Sequence, residues 1–170
     1  TAENVLKLAK AASIVLRKKN SISRVVINKD TRLSNYIFEP ALTSGFISMG
    51  INVVLVGPLP TPALTILSKS LRADFSVMIT ASHNPYQDNG LKFFSGSGYK
   101  ITAEEEKKIE DCFFNYDFDN FRIKPSNYGK AVRLKDAIGR YSEALKQNIF
   151  NNLDYTKLKV VLDCANGAAY

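Results

Sequence analysis

The sequence predicts an α/β protein: a three-layer α/β/α domain built on a mixed, mostly parallel sheet, followed by the first strand of a second, similar domain. Strands alternate along the chain with helices of ten to fifteen residues, the pattern of a layered sheet. The first three strands are short apolar runs separated by crossovers long enough for parallel pairing. The fourth follows the third after only 11 residues with no helix between them, so it is expected to return antiparallel.

Val5, Leu8, Ala9, Ala12, Val15 and Leu16 recur at helical spacing and make residues 3–18 an amphipathic helix. Residues 24–28 are the first strand, and a helix follows over residues 36–49. Pro40 lies inside that pattern, so the helix starts just before it or bends there. Residues 51–56 form a continuous apolar strand. The stiff run Gly57-Pro58-Leu59-Pro60-Thr61-Pro62 leads into a helix through Leu71, with Thr61 as its expected cap and Pro62 as its first residue.

Residues 75–79 are the third strand and residues 91–95 the fourth. Gly96-Ser97-Gly98 is a tight turn into a short return strand at residues 99–101. Thr102-Ala103-Glu104-Glu105 reads as a capping box opening a helix to about Asn115. Residues 116–130 read as a polar surface excursion, residues 136–150 as a further helix despite Gly139. Residues 159–164 form a new strand that turns at Ala165-Asn166-Gly167. This divides the chain into residues 1–154, one domain, and residues 155–170, the start of a second.

The 170 residues carry 23 Lys+Arg against 16 Asp+Glu, a net charge of +7. Residues 1–100 hold 12 basic against 5 acidic residues, whereas residues 101–170 hold 11 of each. Helix-end cations such as Arg17-Lys18-Lys19 account for part of this excess. A nucleic-acid face or a site for phosphorylated ligands would account for the rest. No apolar run approaches the ~20 residues of a membrane span, and Thr1-Ala2-Glu3-Asn4 has no signal-peptide pattern, so a cytoplasmic protein is expected. Cys112 and Cys164, with a single histidine, cannot make a four-ligand zinc site, and reduced thiols are expected.

The chemistry is concentrated in one run, Thr80-Ala81-Ser82-His83-Asn84-Pro85-Tyr86-Gln87-Asp88-Asn89-Gly90-Leu91-Lys92-Phe93-Phe94, which begins where the third strand stops. It sets a serine hydroxyl, the only histidine and a lysine on and beside one loop. Serine is a weak nucleophile unless a neighbouring base or cation activates it. A Ser-His-Asp triad needs a base that faces the serine and a carboxylate that orients the base. Here the histidine is the next residue, and no nucleophile elbow is present. Phosphoryl transfer suits the loop better, because it depends on positioning and positive charge more than on a tuned base. Arg32, in Lys29-Asp30-Thr31-Arg32 after the first strand, is a cation expected at the same sheet end; Asp30 pairs with it or caps the next helix.

This run resembles the phosphoserine loop of the α-D-phosphohexomutases, and within that superfamily its wording is nearest to members acting on amino sugars. The resemblance implies that Ser82 carries the catalytic phosphate, with His83 and Lys92 assisting proton movement and holding the phosphate. It implies Arg32, Asn84, Asp88 and Asn89 as phosphate, substrate or loop-shaping residues. It implies Mg²⁺, held through phosphorylated Ser82 and through ligands expected in a second domain. The implied substrates are glucosamine 6-phosphate and glucosamine 1-phosphate, through a 1,6-bisphosphate, with mannose or glucose phosphates as the alternative. No nucleic-acid or membrane partner is implied, and the full-length enzyme has room to be a homodimer.

Several family features fall outside residues 1–170: a Phe-Gly-Thr-Asp-Gly-Ile-Arg-Gly-like opening strand, an Asp-x-Asp-x-x-Arg metal loop, the sugar-selecting third domain and the phosphate-binding fourth. These residues alone are therefore expected to be inactive. Asn28 stands where many relatives have glycine. From another functional class, a non-enzymatic basic module binding RNA or acidic partners remains, although the aromatic-basic signatures of RNA binders are absent.

Overall fold

Period-two alternation along the strands divides the apolar residues between two layers. In the computed structural model, which describes residues 1–18, 23–118, 120–121, 123–147, 149 and 154–170, the first strand β1 (Arg24–Lys29) turns Val25 and Ile27 to one face and Val26 to the other. The next strands repeat this: β2 (Asn52–Pro58) sends Val53 one way and Val54 and Val56 the other. β3 (Phe75–Ile79) sends Phe75, Val77 and Ile79 one way and Met78 the other.

The first face is covered by α1 (Ala2–Leu16), α2 (Asn35–Ser48) and α4 (Ala103–Asn115). The second is covered by α3 (Thr61–Ser70) and α5 (Ala137–Lys146). The result is the expected three-layer α/β/α arrangement. The sheet order is β4-β3-β1-β2-β5, where β4 is Leu91–Ser95 and β5 is Ala131–Arg133. All neighbours are parallel except β3 and β4, which pair antiparallel with Val77 opposite Phe93. The short connection through the serine loop dictates that reversal.

Helices α1 and α2 approach closely because Gly45 has no side chain: a Cβ there would lie 2.6 Å from Ala9 Cβ and 2.8 Å from the Leu6 carbonyl oxygen. Phe46 and Phe75 then meet edge to face, their ring centroids 5.5 Å apart, between α2 and the sheet.

Local chemistry altered several expectations. Helix α2 begins at Asn35, so Pro40 sits in its second turn. Pro60, not Thr61, precedes the first residue of α3, and the Thr61 hydroxyl makes no capping bond. The Thr102–Glu105 capping box is present in both halves. The return strand at residues 99–101 reduces to a single bridge between Phe94 and Lys100. Residues 116–130 are not wholly a surface excursion, since Phe118 is buried against the first core layer.

The short edge strand β5 had no sequence signal, because three exposed residues carry no periodicity. Backbone contact places it: Val53 N–H donates to the Lys130 carbonyl at 2.8 Å, and Lys130 N–H donates to Asn52 Oδ1 at 2.9 Å. Helix α5 starts at Ala137 and runs to Lys146; the expected end at Phe150 and the link at residues 151–153 lie outside the described residues.

Residues 159–164 do not form a strand among the described residues. A strand needs a neighbour to receive its N–H and C=O groups, and here Val161 is 96% exposed with no ladder beside it. The turn after it is present, with Gly167 N–H donating to the Cys164 carbonyl. No described helix is long and apolar enough to cross a membrane. Both cysteines are free, and burial pushes the Cys112 thiol pKa up.

Candidate active site

The segments that leave the carboxyl ends of β1, β2 and β3 converge on one cleft of about 910 Å³. Residues 30–33 come from β1, 59–61 from β2, and Thr80, Ser82, His83, Asn84 and Tyr86 from β3; residues 164–168 close one side. Open α/β sheets bind ligands at this end of their strands. The Thr31 hydroxyl donates to the Asn166 carbonyl and so ties the C-terminal turn to the rim. Asn28, buried at a shift in the β1–β2 register, donates from Nδ2 to the Leu59 carbonyl at 3.1 Å and steadies the proline-rich turn beside the cleft.

Ser82 is exposed at the cleft, and Lys92 reaches it from β4, with Nζ donating to Ser82 Oγ at 2.6 Å. Strand pairing makes this contact. Lys92 lies opposite Met78 in the antiparallel register, so its side chain emerges next to the point where the chain leaves β3. His83 is exposed and lines the same cleft.

Ser82 has a left-handed backbone, φ 54°. That conformation costs a non-glycine residue about 1–2 kcal/mol and persists only where the surroundings enforce it. The Ser82 N–H donates to Thr80 Oγ1 at 3.0 Å, and the Thr80 hydroxyl donates to Asp30 Oδ2 at 2.8 Å. Asp30 also accepts from Asn35 Nδ2 at 2.9 Å, from the Arg32 N–H at 3.1 Å and from Arg32 Nε at 2.9 Å. Burial alone would raise the Asp30 pKa, but the hydrogen bonds from Asn35, Thr80 and Arg32 together hold it below the usual aspartate value of 3.8.

The remaining loop residues separate by what they touch. Asn84 lines the cleft and donates from Nδ2 to Asp88 Oδ2 at 3.2 Å. Asn89 donates to Ser34 Oγ at 2.7 Å and to Asn35 Oδ1 at 2.8 Å, pinning the loop's far end to the start of α2. Asp88 and Asn89 are not part of the cleft lining, so their visible work is to shape the loop. Arg32 points its guanidinium into the loop's carbonyls, donating to those of Ser82 and Asn84 at 3.0 Å each. Sequence reasoning missed Thr80 and Asn35 as site residues. Thr80 opens the quoted run, and its burial beneath the loop is the feature a sequence does not display.

Among the described residues no group of three or more His, Cys, Asp or Glu side chains is placed to hold a metal ion. Both oxygens of Asp30 already accept hydrogen bonds, and Asp88 is not part of the cleft lining. The residues present therefore do not fit a Mg²⁺ cage by themselves.

Residues 1–120 match the family described as phosphoglucomutase/phosphomannomutase, alpha/beta/alpha domain I. Over all 170 residues the chain is 49% identical to the phosphoglucosamine mutase of Geobacter metallireducens and covers 38% of it. It is 51% identical to that of Paramagnetospirillum magneticum, again covering 38%. The chain thus spans a little over a third of the length of these curated relatives. A solved putative phosphomannomutase from Thermus thermophilus is 34% identical with a TM-score of 0.70, over 88% of this chain and 32% of that one. A phosphoglucomutase/phosphomannomutase family protein from Burkholderia thailandensis shares the fold, with a TM-score of 0.74 at 24% identity, 88% coverage of this chain and 32% of that one.

Proposed function

This chain belongs to the phosphoglucomutase/phosphomannomutase family, and from that membership we propose that Ser82 carries a phosphoryl group that it exchanges with a hexose phosphate, the sugar being glucosamine. The observation that carries this reading is the 2.6 Å contact from Lys92 Nζ to an exposed Ser82 Oγ at the mouth of an open cleft. The amino sugar rests on the curated relatives, which are named phosphoglucosamine mutases.

In the first half-reaction the P–Oγ bond of phosphoserine breaks while the C1 hydroxyl oxygen of glucosamine 6-phosphate bonds to phosphorus. The hydroxyl loses its proton and Ser82 Oγ gains one. In the second half, Ser82 Oγ loses its proton and bonds to the phosphorus at C6 as the bond from that phosphorus to the C6 oxygen breaks; the C6 oxygen takes up the proton, and glucosamine 1-phosphate leaves. Lys92 donates a hydrogen bond to Oγ where negative charge develops as the P–Oγ bond breaks, the placement that electrostatic catalysis requires. His83, which lines the same cleft, would be a second group to move a proton. Asn84 contacts the sugar phosphate from the loop, while Asp88 and Asn89 hold the loop's shape. Mg²⁺, which this family generally uses, would neutralise charge on the phosphoryl group when bound. Phosphorylated Ser82 would supply one ligand. Residues 1–154 are the first domain in this reading and residues 155–170 the entry to a second, in a cytoplasmic enzyme.

Intact-mass measurement of the full-length protein tests the proposal. One added phosphate is expected, absent from Ser82→Ala; an unmodified wild type without turnover refutes it. Assays on glucosamine, glucose and mannose 6-phosphates test the sugar, and the Thermus relative's description makes mannose the second candidate.

A further inference from the structure

Arginine has five N–H donors, and every one of those of Arg32 is engaged. Nε donates to Asp30 Oδ2 at 2.9 Å. Nη1 donates to the carbonyls of Pro85 at 2.6 Å and Asp88 at 2.8 Å; Nη2 donates to those of Ser82 and Asn84 at 3.0 Å each. The side chain is only 10% exposed. No N–H remains for an incoming phosphate oxygen. Four carbonyls within residues 82–88 converge on one planar cation, so the loop is wrapped around Arg32.

The same cation reaches the reacting residue. Both backbone polar groups of Ser82 lead to the Asp30 carboxylate: its carbonyl through Arg32, its N–H through Thr80. Those two bonds bracket the left-handed φ of 54°. The direction of the Ser82 side chain, and so the 2.6 Å approach of Oγ to Lys92, depends on that backbone.

We propose that Arg32, oriented by Asp30, is a positioning residue for phosphoryl transfer that sets the aim of Ser82 Oγ and does not bind the transferred phosphate. This rests on Ser82 as the phosphoryl carrier and replaces the expectation that Arg32 touches phosphate. Lysine cannot substitute, because a point charge with three donors cannot span four carbonyls and a carboxylate in one plane.

The test uses the full-length protein as wild type, Arg32→Lys and Arg32→Ala, with steady-state kinetics on glucosamine 6-phosphate. A reacting atom displaced by roughly 1 Å can lose about 100-fold in rate, so kcat should fall about 100-fold in both variants with KM changed by less than about 3-fold. Guanidinium chloride, well below denaturing concentration, should recover about 10-fold of the Arg32→Ala loss, and methylammonium at equal ionic strength none. Arg32→Lys, which keeps the charge, carries the test if Arg32→Ala does not fold. A rise in KM of about 10-fold with kcat retained would make Arg32 a phosphate ligand and overturn the proposal, as would kinetics unchanged in Arg32→Lys. An active wild type with either result sinks this proposal alone. A wild type with no phosphate on Ser82 and no turnover sinks the parent reading, and this one with it.

Discussion

Thr80→Val isolates the hydroxyl that links Ser82 to Asp30. Valine matches threonine in shape, so no cavity forms in a position that is 6% exposed. Two hydrogen bonds disappear: one donated to Asp30 Oδ2 at 2.8 Å and one accepted from Ser82 N–H at 3.0 Å. A bond to an ionised group contributes about 1.5–3 kcal/mol, and a neutral one about 0.5–1.5 kcal/mol. The Asp30 side chain is 15% exposed and Ser82 borders solvent, so water replaces part of what is lost. The lower end of the range applies, about 2 kcal/mol.

For a protein of this size, each kcal/mol shifts Tm by about 2–4 °C, which predicts a fall of about 4–8 °C. Thermal melts followed by circular dichroism measure it directly. The same substitution removes one of the two bonds that hold Ser82 left-handed, so phosphate incorporation at Ser82 of the full-length protein should fall as well. Combined with Arg32→Lys, the losses should be less than additive, because both act through one carboxylate. A Tm within about 1 °C of wild type, together with normal phosphoserine content, would refute the linkage of Ser82 to Asp30.

The Asp30 carboxyl has its pKa lowered on folding, so the stability it contributes is present above its unfolded value of 3.8 and is lost as pH falls through the lower folded value. Urea midpoints measured from pH 5 downward should therefore fall more steeply below about pH 4 for wild type than for Asp30→Asn. Lys92→Met removes the donor at Ser82 Oγ and should reduce kcat by about 100-fold or more with the melt unchanged, read by turnover and by phosphoserine content. Gly45→Ala forces a Cβ to within 2.6 Å of Ala9 Cβ; the overpacked α1–α2 contact should cost about 1–3 kcal/mol by urea denaturation.

The layers were legible because strands that are apolar throughout must be covered on both faces, and the helices between them carry a periodic apolar stripe. Val25, Val26 and Ile27 alternate between the two core layers, and the helical spacing of Val5, Ala9 and Ala12 marks the face of α1 that meets the first. The antiparallel fourth strand followed from loop length alone. What was not legible depended on contacts distant in sequence. β5 exists because Val53 and Asn52 offer backbone and side-chain partners to Lys130, and a Cβ at Gly129 would lie 1.9 Å from the Ile51 carbonyl oxygen. The pairing of Ser82 with Lys92 could be read from the run itself, since ten residues of hairpin return the lysine to the serine. The burial of Thr80 and the saturation of Arg32 could not, because each requires a partner 50 or more residues away.

The basic excess also reads differently once it has positions. At the cleft end of the sheet, Lys29 pairs with Glu39 at 2.6 Å and Arg32 with Asp30 at 2.9 Å. Among the described residues Lys92 has no carboxylate within 4.0 Å. Lys18, Lys69 and Arg72 gather at the other end of β3, beside Asp74 and Gly96. A five-residue strand separates the two ends, about 17 Å at 3.3–3.4 Å per residue. Physiological salt screens exposed charges over about 8 Å, so those cations lie roughly two screening lengths from Ser82. They can draw an anion toward the protein but contribute little at the hydroxyl itself. A phosphoryl group there would bring a charge of about −1.5 to −2, against a single nearby positive charge that no carboxylate neutralises. The local field at the reacting oxygen therefore depends on Lys92, while Arg32, although nearer to the loop backbone than any other cation, acts through geometry.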